Sequence, residues 1–188
     1  MDSLRLQDRM EIQDCLFRYV RGVDRKNWDL VRSAYHTDAY DDHGNYKGGI
    51  DGFIEGLVKR HATIEQSMHV IGNIVIEFDG PDSALLEAYF ITHQRILPEA
   101  GDARLPYLRG KPIAVDQAVE TEVVGRYVDR MARKDGAWRV QHRTVVFEVF
   151  RGQPAPVGGG LRDNWVNGRR DGNDRLEVAR RELGLPPQ

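Results

Sequence analysis

The hydrophobic period of this chain changes once, at Met68, and that change decides what it can fold into. From there on, β-branched and aromatic residues alternate with polar ones in four runs, 68–78, 83–96, 118–132 and 137–150, which is the period of strands. Before it, Leu4, Ile12, Cys15, Leu16, Tyr19, Val20 and Val23 recur on one face of a helix over residues 4–23, with Ser3 as candidate N-cap. Asn27 is placed to cap a second, shorter helix carrying Trp28, Val31, Ala34 and Tyr35, which leaves Asp24 at the junction of the two. Residues 38–49 read as a short strand or turn, and a third helix from Asp51 to about Thr63 would bury Phe53, Ile54, Leu57 and Val58. Turn residues at 78–82 and 133–136 make hairpins of the first and last pairs of strands. Helices first and sheet second define an α+β domain, in which the N-terminal helices cover one face of a curved mixed or antiparallel sheet shaped as a cone around a pocket.

With 188 residues, the chain has room for one such domain, 1–150, and a C-terminal extension, 151–188. The extension passes through Gln153-Pro154-Ala155-Pro156 and three glycines to a charged segment over 174–183 that reads as an exposed helix with i,i+4 charge pairs. Trp165 and Val166 are apolar residues in an otherwise polar stretch of it, and they suggest a lid over the pocket or an arm along a neighbouring subunit. A net charge of −2 offers no positive field for a polyanion, so nucleic acid is not an expected partner. No apolar run reaches the roughly 20 residues of a membrane span. The first residues lack the apolar stretch of a signal peptide, and the single cysteine, Cys15, fits a reducing compartment, so a cytoplasmic location is expected. No phosphate-binding glycine loop, nucleophile elbow or dinucleotide fingerprint is present, and no cofactor is expected. The cluster His36, Asp38, Asp41, Asp42, His43 lacks metal-site spacing and reads as a solvated acidic turn.

His69 opens a strand on which Ile71, Asn73 and Val75 share its face. An imidazole looking into an apolar pocket stays neutral unless a carboxylate stands beside it, and Asp24 is the candidate carboxylate. Such a pair is a minimal general base: the acid fixes the tautomer and stabilises the charge that develops when the ring accepts a proton.

Tyr19 followed by Asp24 and Trp28, then Tyr46-Lys47-Gly48, Met68-His69-x-x-Gly72-Asn73, Arg126-Tyr127-x-Asp129 and Asp135-Gly136-x-Trp138-Arg139 together resemble the SnoaL-like branch of the nuclear-transport-factor-2-like, or cystatin-like, cone fold over residues 4–150. The resemblance is to lyases of the scytalone dehydratase, hexachlorocyclohexane dehydrochlorinase and bile acid 7α-dehydratase kinds. It implies that Asp24 and His69 form a catalytic dyad assisted by Tyr19 and by a second histidine, His93. It also implies that His43, Tyr127 and Asn73 line the substrate pocket, and that no cofactor takes part. His43 stands where these lyases often carry tyrosine, and Gly125 and Tyr127 stand where scytalone dehydratase has serine and asparagine. The implied substrate is therefore a small hydrophobic cyclic molecule other than scytalone. A homo-oligomer is expected, a trimer first and a dimer next, because Val145, Phe147 and Val149 on one face and Val140, Val146 and Phe150 on the other leave both sides of the last strand apolar. The rival reading is a non-catalytic ligand-binding or accessory subunit, like the small subunit of ring-hydroxylating dioxygenases, which resembles the same fold.

Overall fold

Residues 5–186 are described in the computed structural model; Ser3 and Leu4, assigned above to the start of the first helix, lie outside them. Helix α1, Leu6–Arg25, buries the stripe Ile12, Cys15, Leu16, Tyr19, Val20 and Val23 and ends where Lys26 turns left-handed, its N–H returning to Gly22 and Val23. Gly22 allows the next helix to approach, since a Cβ there would stand 2.8 Å from the Val31 nitrogen. That helix, α2, Trp28–Ser33, is capped by Asn27, whose side chain accepts from Leu30 N at 3.0 Å. Tyr35 does not continue it. It opens strand β1, Tyr35–Asp42, because the sheet takes over the backbone there, Val140 N–H donating to Ala34 O at 2.9 Å. Strand β2, Lys47–Gly49, folds back on β1 and leads into α3, Ile50–His61, which buries Phe53, Ile54 and Leu57 and leaves Val58 exposed.

Strands β3, Ile64–Phe78, β4, Ser83–Ile96, β5, Ala118–Lys134, and β6, Ala137–Ala155, form an antiparallel meander. The β5–β6 hairpin turns on Asp135 and Gly136, both at positive φ (52° and 76°), as a two-residue turn of the primed type requires. Strand β1 pairs with β6 in parallel, so the six strands run β2-β1-β6-β5-β4-β3 in one curved sheet. The connection 97–117 folds into a 3-10 turn and a short helix, α4, Leu105–Leu108. Its Arg104 ties the ends together through the carbonyls of Gly101 and Gln117.

Three bulges decide which residues face inward. One in β3 between Ile71 and Ile74 puts Ser67, His69, Ile71, Ile74 and Ile76 on the concave face and moves Val75 to the convex one with Val70. The even alternation expected from the sequence fails there because a bulge adds a residue without a partner and resets the period. Asn73 lies in that bulge and is exposed. In β6, register shifts at Gln141 and Glu148 gather Val140, Arg143, Val145, Phe147 and Phe150 on the concave face, so Val140 and Phe150 do not join Val146 outside.

Beyond Ala155 the chain makes a 3-10 turn, Val157–Gly160, and later helix α5, Arg175–Glu182, capped by the Asp174 carboxylate at Leu176 N. Trp165 and Val166 are 53% and 82% exposed, so neither anchors the extension. Its arginines do not form an i,i+4 ladder: Arg169 pairs with Asp171, Arg180 with Glu177, and Arg170 is drawn into the domain. No helix among the described residues is long and apolar enough to cross a membrane.

Candidate active site

Asp24 sits in the last turn of α1, and β3 is the strand at the sheet edge, whose outward N–H groups need partners. One Asp24 oxygen accepts the His69 backbone N–H at 2.7 Å; the other accepts His69 Nδ1 at 2.7 Å and the Ser67 hydroxyl at 2.8 Å. An ionised carboxylate only accepts, so the ring carries a proton on Nδ1, and its neutral form is the tautomer with the Nε2 lone pair free. Burial pushes the Asp24 carboxyl up, but the His69 ring, its backbone N–H and Ser67 outweigh that and hold it below its ordinary value.

The pair is braced from two sides. Gln94, the β4 partner of Ser67, donates to the Ser67 hydroxyl at 3.2 Å and accepts from Arg60 at 2.7 Å. From the extension, Arg170 donates to the main-chain carbonyls of Asp24, Val23 and Ile64 at 2.7–2.8 Å and to His61 Nδ1 at 2.6 Å. It thereby satisfies carbonyls at the α1 terminus and places a cation at the negative end of the helix dipole. Burial there brings the Arg170 guanidinium down to about 10, with Asp24 opposing, and it stays charged. Burial, with Arg60 and Arg170 beside it, drives His61 down to about 2, so His61 is neutral and accepts from Arg170. Ser67 was legible in principle, lying two residues before His69 on the same strand face. Arg170, Gln94 and Arg60 carry no local signal.

Of the other residues singled out in the sequence, Tyr19 and Tyr127 reach the cone interior. Their rings meet edge to face at 5.7 Å and hold the guanidinium of Arg143 between them at 4.1 and 4.3 Å. Burial pushes both phenols far up, so they remain protonated donors. Phe90 links them to the dyad, stacking on Tyr127 at 4.5 Å with His69 at 6.5 Å. Gly125 leaves the room for this, since a Cβ there would meet Phe90 at 2.8 Å and Val146 O at 2.4 Å. His43 also faces inward, against Phe53 at 5.0 Å. His93 does not: β4 alternates, Thr92 and Gln94 take the concave positions, and His93 lies outside, its side chain 49% exposed near Glu122. Asn73 is likewise not brought to the dyad.

The cluster at 36–43 is no solvated turn. Residues 36–42 belong to strand β1 and His43 follows its end, with Asp38 and Asp42 paired outward to Lys134 and Lys47, while Asp41 is fully buried and accepts from Tyr35 and His43. At the wide end of the cone Phe147 and Phe150 are exposed on the concave face, and the β-register places Phe150 in the row of Val123, Thr92 and His69.

A curved sheet closed by helices around an inward His–Asp pair defines the class. A SnoaL-like domain model matches residues 4–144, and the chain belongs to that family. Among solved structures, a protein named as a scytalone dehydratase from Novosphingobium aromaticivorans is 17% identical, over 86% of this chain and 100% of its own, with a TM-score of 0.65. A hexachlorocyclohexane dehydrochlorinase from Novosphingobium barchaimii is 18% identical, over 84% and 94%, at 0.63. A protein named as an aromatic ring hydroxylase from Novosphingobium aromaticivorans is 24% identical, over 79% and 94%, at 0.62. These likenesses establish the cone fold. No curated protein matches the sequence significantly.

Proposed function

We propose that the protein is a cofactor-independent lyase, a dehydratase in the first instance, or an isomerase that begins with the same proton abstraction, acting on a small hydrophobic cyclic substrate. The observation that carries this reading is the 2.7 Å contact of His69 Nδ1 with a buried carboxylate, which leaves Nε2 as base. In this scheme Nε2 removes a proton from a carbon acidified by a neighbouring carbonyl, and Asp24 stabilises the imidazolium that forms. Tyr19 and Tyr127, kept as phenols by burial, are the donors for the enolate oxygen. The aromatic mouth at Phe147 and Phe150 suits a ring-shaped apolar substrate.

The test uses two probes: α-hydrogen exchange of cyclohexanone in deuterium oxide, and conversion of cyclic β-hydroxy and β-chloro ketones to enones. The protein should accelerate exchange and elimination over buffer, and His69→Ala should abolish both. Absence of exchange and elimination across the set would count against the lyase. The second reading, an accessory or ligand-binding subunit, draws on the likeness to the protein named as a ring hydroxylase; co-purification with an oxygenase large subunit, together with a catalytically silent dyad, would favour it.

A further inference from the structure

The end of strand β1 and the residue after it carry a second histidine–carboxylate pair. His43 Nδ1 lies 3.1 Å from Asp41, whose other oxygen accepts the Tyr35 hydroxyl at 2.7 Å; that hydroxyl accepts from Arg143 at 3.0 Å, and Arg143 grips Asp129 at 2.8 and 2.6 Å. The chain Asp129–Arg143–Tyr35–Asp41 is buried throughout, and only its last member, His43, reaches partly into the open. A ring at the solvent end of a buried relay is a feature of a proton-handling group more than of a core histidine.

We propose that His43 is the general acid of the site, facing the substrate from the β1–β6 wall while His69 faces it from the β3 wall. The inference rests on the lyase reading and assigns the step that reading leaves open, protonation of the leaving oxygen. His43 packs on Phe53 at 5.0 Å and Phe147 at 6.4 Å. Phe147 lies in the concave row Phe147–Gly125–Phe90–Ile71, beside the row that contains His69. His43 thus touches Phe147 at one end of this row, and His69 touches Phe90 further along it.

Formal charges separate their roles. Asp129 accepts bidentately from Arg143, a geometry that requires a carboxylate on one side and a guanidinium on the other. With Asp41 the group carries one uncompensated negative charge, which a proton on His43 neutralises. Phe53 from α3, Phe147 from β6 and Tyr35 on β1 bring no charge against it. Around His69, Asp24 faces the ring, Arg170 from the extension lies on the main-chain carbonyls of Asp24 and Val23, His61 from α3 is neutral, and Arg60 approaches through Gln94, so the cations that approach from α3 and the extension make the surroundings of His69 less negative than those of His43. One environment favours an acid and the other a base at the same pH.

In the step itself, His69 Nε2 takes the hydrogen on the α carbon as a proton. The electron pair of that bond becomes the new carbon–carbon π bond as the β carbon–oxygen bond breaks, and its pair goes to the oxygen. The oxygen takes the proton from His43 Nε2 and leaves as water. His69 ends with one proton more and His43 with one fewer, and exchange with solvent resets both.

Imidazole nitrogen NMR of the full chain near pH 7 tests the assignment without a substrate. His43 should show both nitrogens protonated and His69 only Nδ1. Tyr35→Phe and Asp41→Asn should lower the pH at which His43 loses its second proton and leave the His69 signals in place. A His43 ring that is neutral whenever His69 is neutral overturns the proposal, whereas a doubly protonated His69 overturns the base reading instead. In kinetics, His43→Gln should slow loss of hydroxide from a cyclic β-hydroxy ketone at least a hundredfold relative to loss of chloride, which needs no proton, from the β-chloro ketone. An unchanged ratio would also overturn it, while loss of exchange on His69→Ala alone speaks to the base.

Discussion

At the scale of single residues, the Asp24–His69 pair forms because two elements far apart in sequence each supply what the other lacks: an edge strand with an outward N–H and a helix end with a carboxylate. His69→Ala should lower kcat by about two to four orders of magnitude, the usual cost of removing a general base. Asp24→Asn should cost a similar amount, and the double variant far less than the sum, since the pair acts as a unit. Acid stability separates two buried groups. His61, neutral in the fold at about 2 and titrating near 6.5 when unfolded, binds fewer protons folded than unfolded, so stability falls as pH drops below 6.5. The slope is up to about 1.4 kcal/mol per pH unit. Asp24 is lowered from 3.8; its contribution is intact above that value and is lost as pH falls through the lower native one. Denaturant midpoints of His61→Gln should therefore be flatter than wild type between pH 6 and 4, and those of Asp24→Asn flatter only below it. A wild-type midpoint constant from pH 7 to 4 would refute the first claim.

At the scale of elements, the extension is tied to the domain by one guanidinium on the end of α1. Arg170→Met should cost about 1–3 kcal/mol, the range for hydrogen bonds to a charged group whose partners are left buried. It should lower kcat/KM as well, since the Asp24 end of the helix loses its brace; thermal unfolding and initial rates together check this. Gly125→Ala should destabilise by a comparable amount, about 1–3 kcal/mol, because backbone at Val146 O cannot yield to a Cβ. These elements also show what the sequence carried. The four strands, the hairpin turns and the first helix were legible because amphipathic periods and turn residues are local signals. The bulges at 71–74, 141 and 148 were not, since an inserted residue looks like its neighbours until a partner strand exists. They misplaced Asn73, Val75, Val140, Val149 and Phe150. The Asp24–His69 pairing was read from a helix junction and a strand face and supported by a resemblance, as no local rule joins the two positions. Arg170 gave no signal because its partners are backbone carbonyls, which any sequence offers.

At the scale of the whole molecule, the convex face of the sheet exposes Met68, Val70, Leu85, Tyr89 and Ile91, an apolar run of the kind that marks an interface. We propose a homotrimer formed through this face. Sedimentation at micromolar concentration should give a trimer that Ile91→Lys dissociates; a wild-type monomer would dismiss the idea. Burial of this face against other copies would also enclose His93, which would explain a histidine there without a catalytic task.

The single parallel pairing, β1 with β6, has a consequence for how the protein is made. Tyr40 aligns with His142, so the sheet closes only through a contact spanning most of the domain, and closing so long a loop slows folding. During synthesis the meander β3–β5 can assemble from neighbours and α1 can dock on β3 through Asp24 and Arg9, but β1 has no strand to pair with except its own neighbour β2 until β6 has emerged. A ribosome-bound chain halted before residue 137 should accordingly remain protease-sensitive over residues 35–49, the segment of β1 and β2, while the Asp24–His69 contact, built from α1 and β3 alone, can already form.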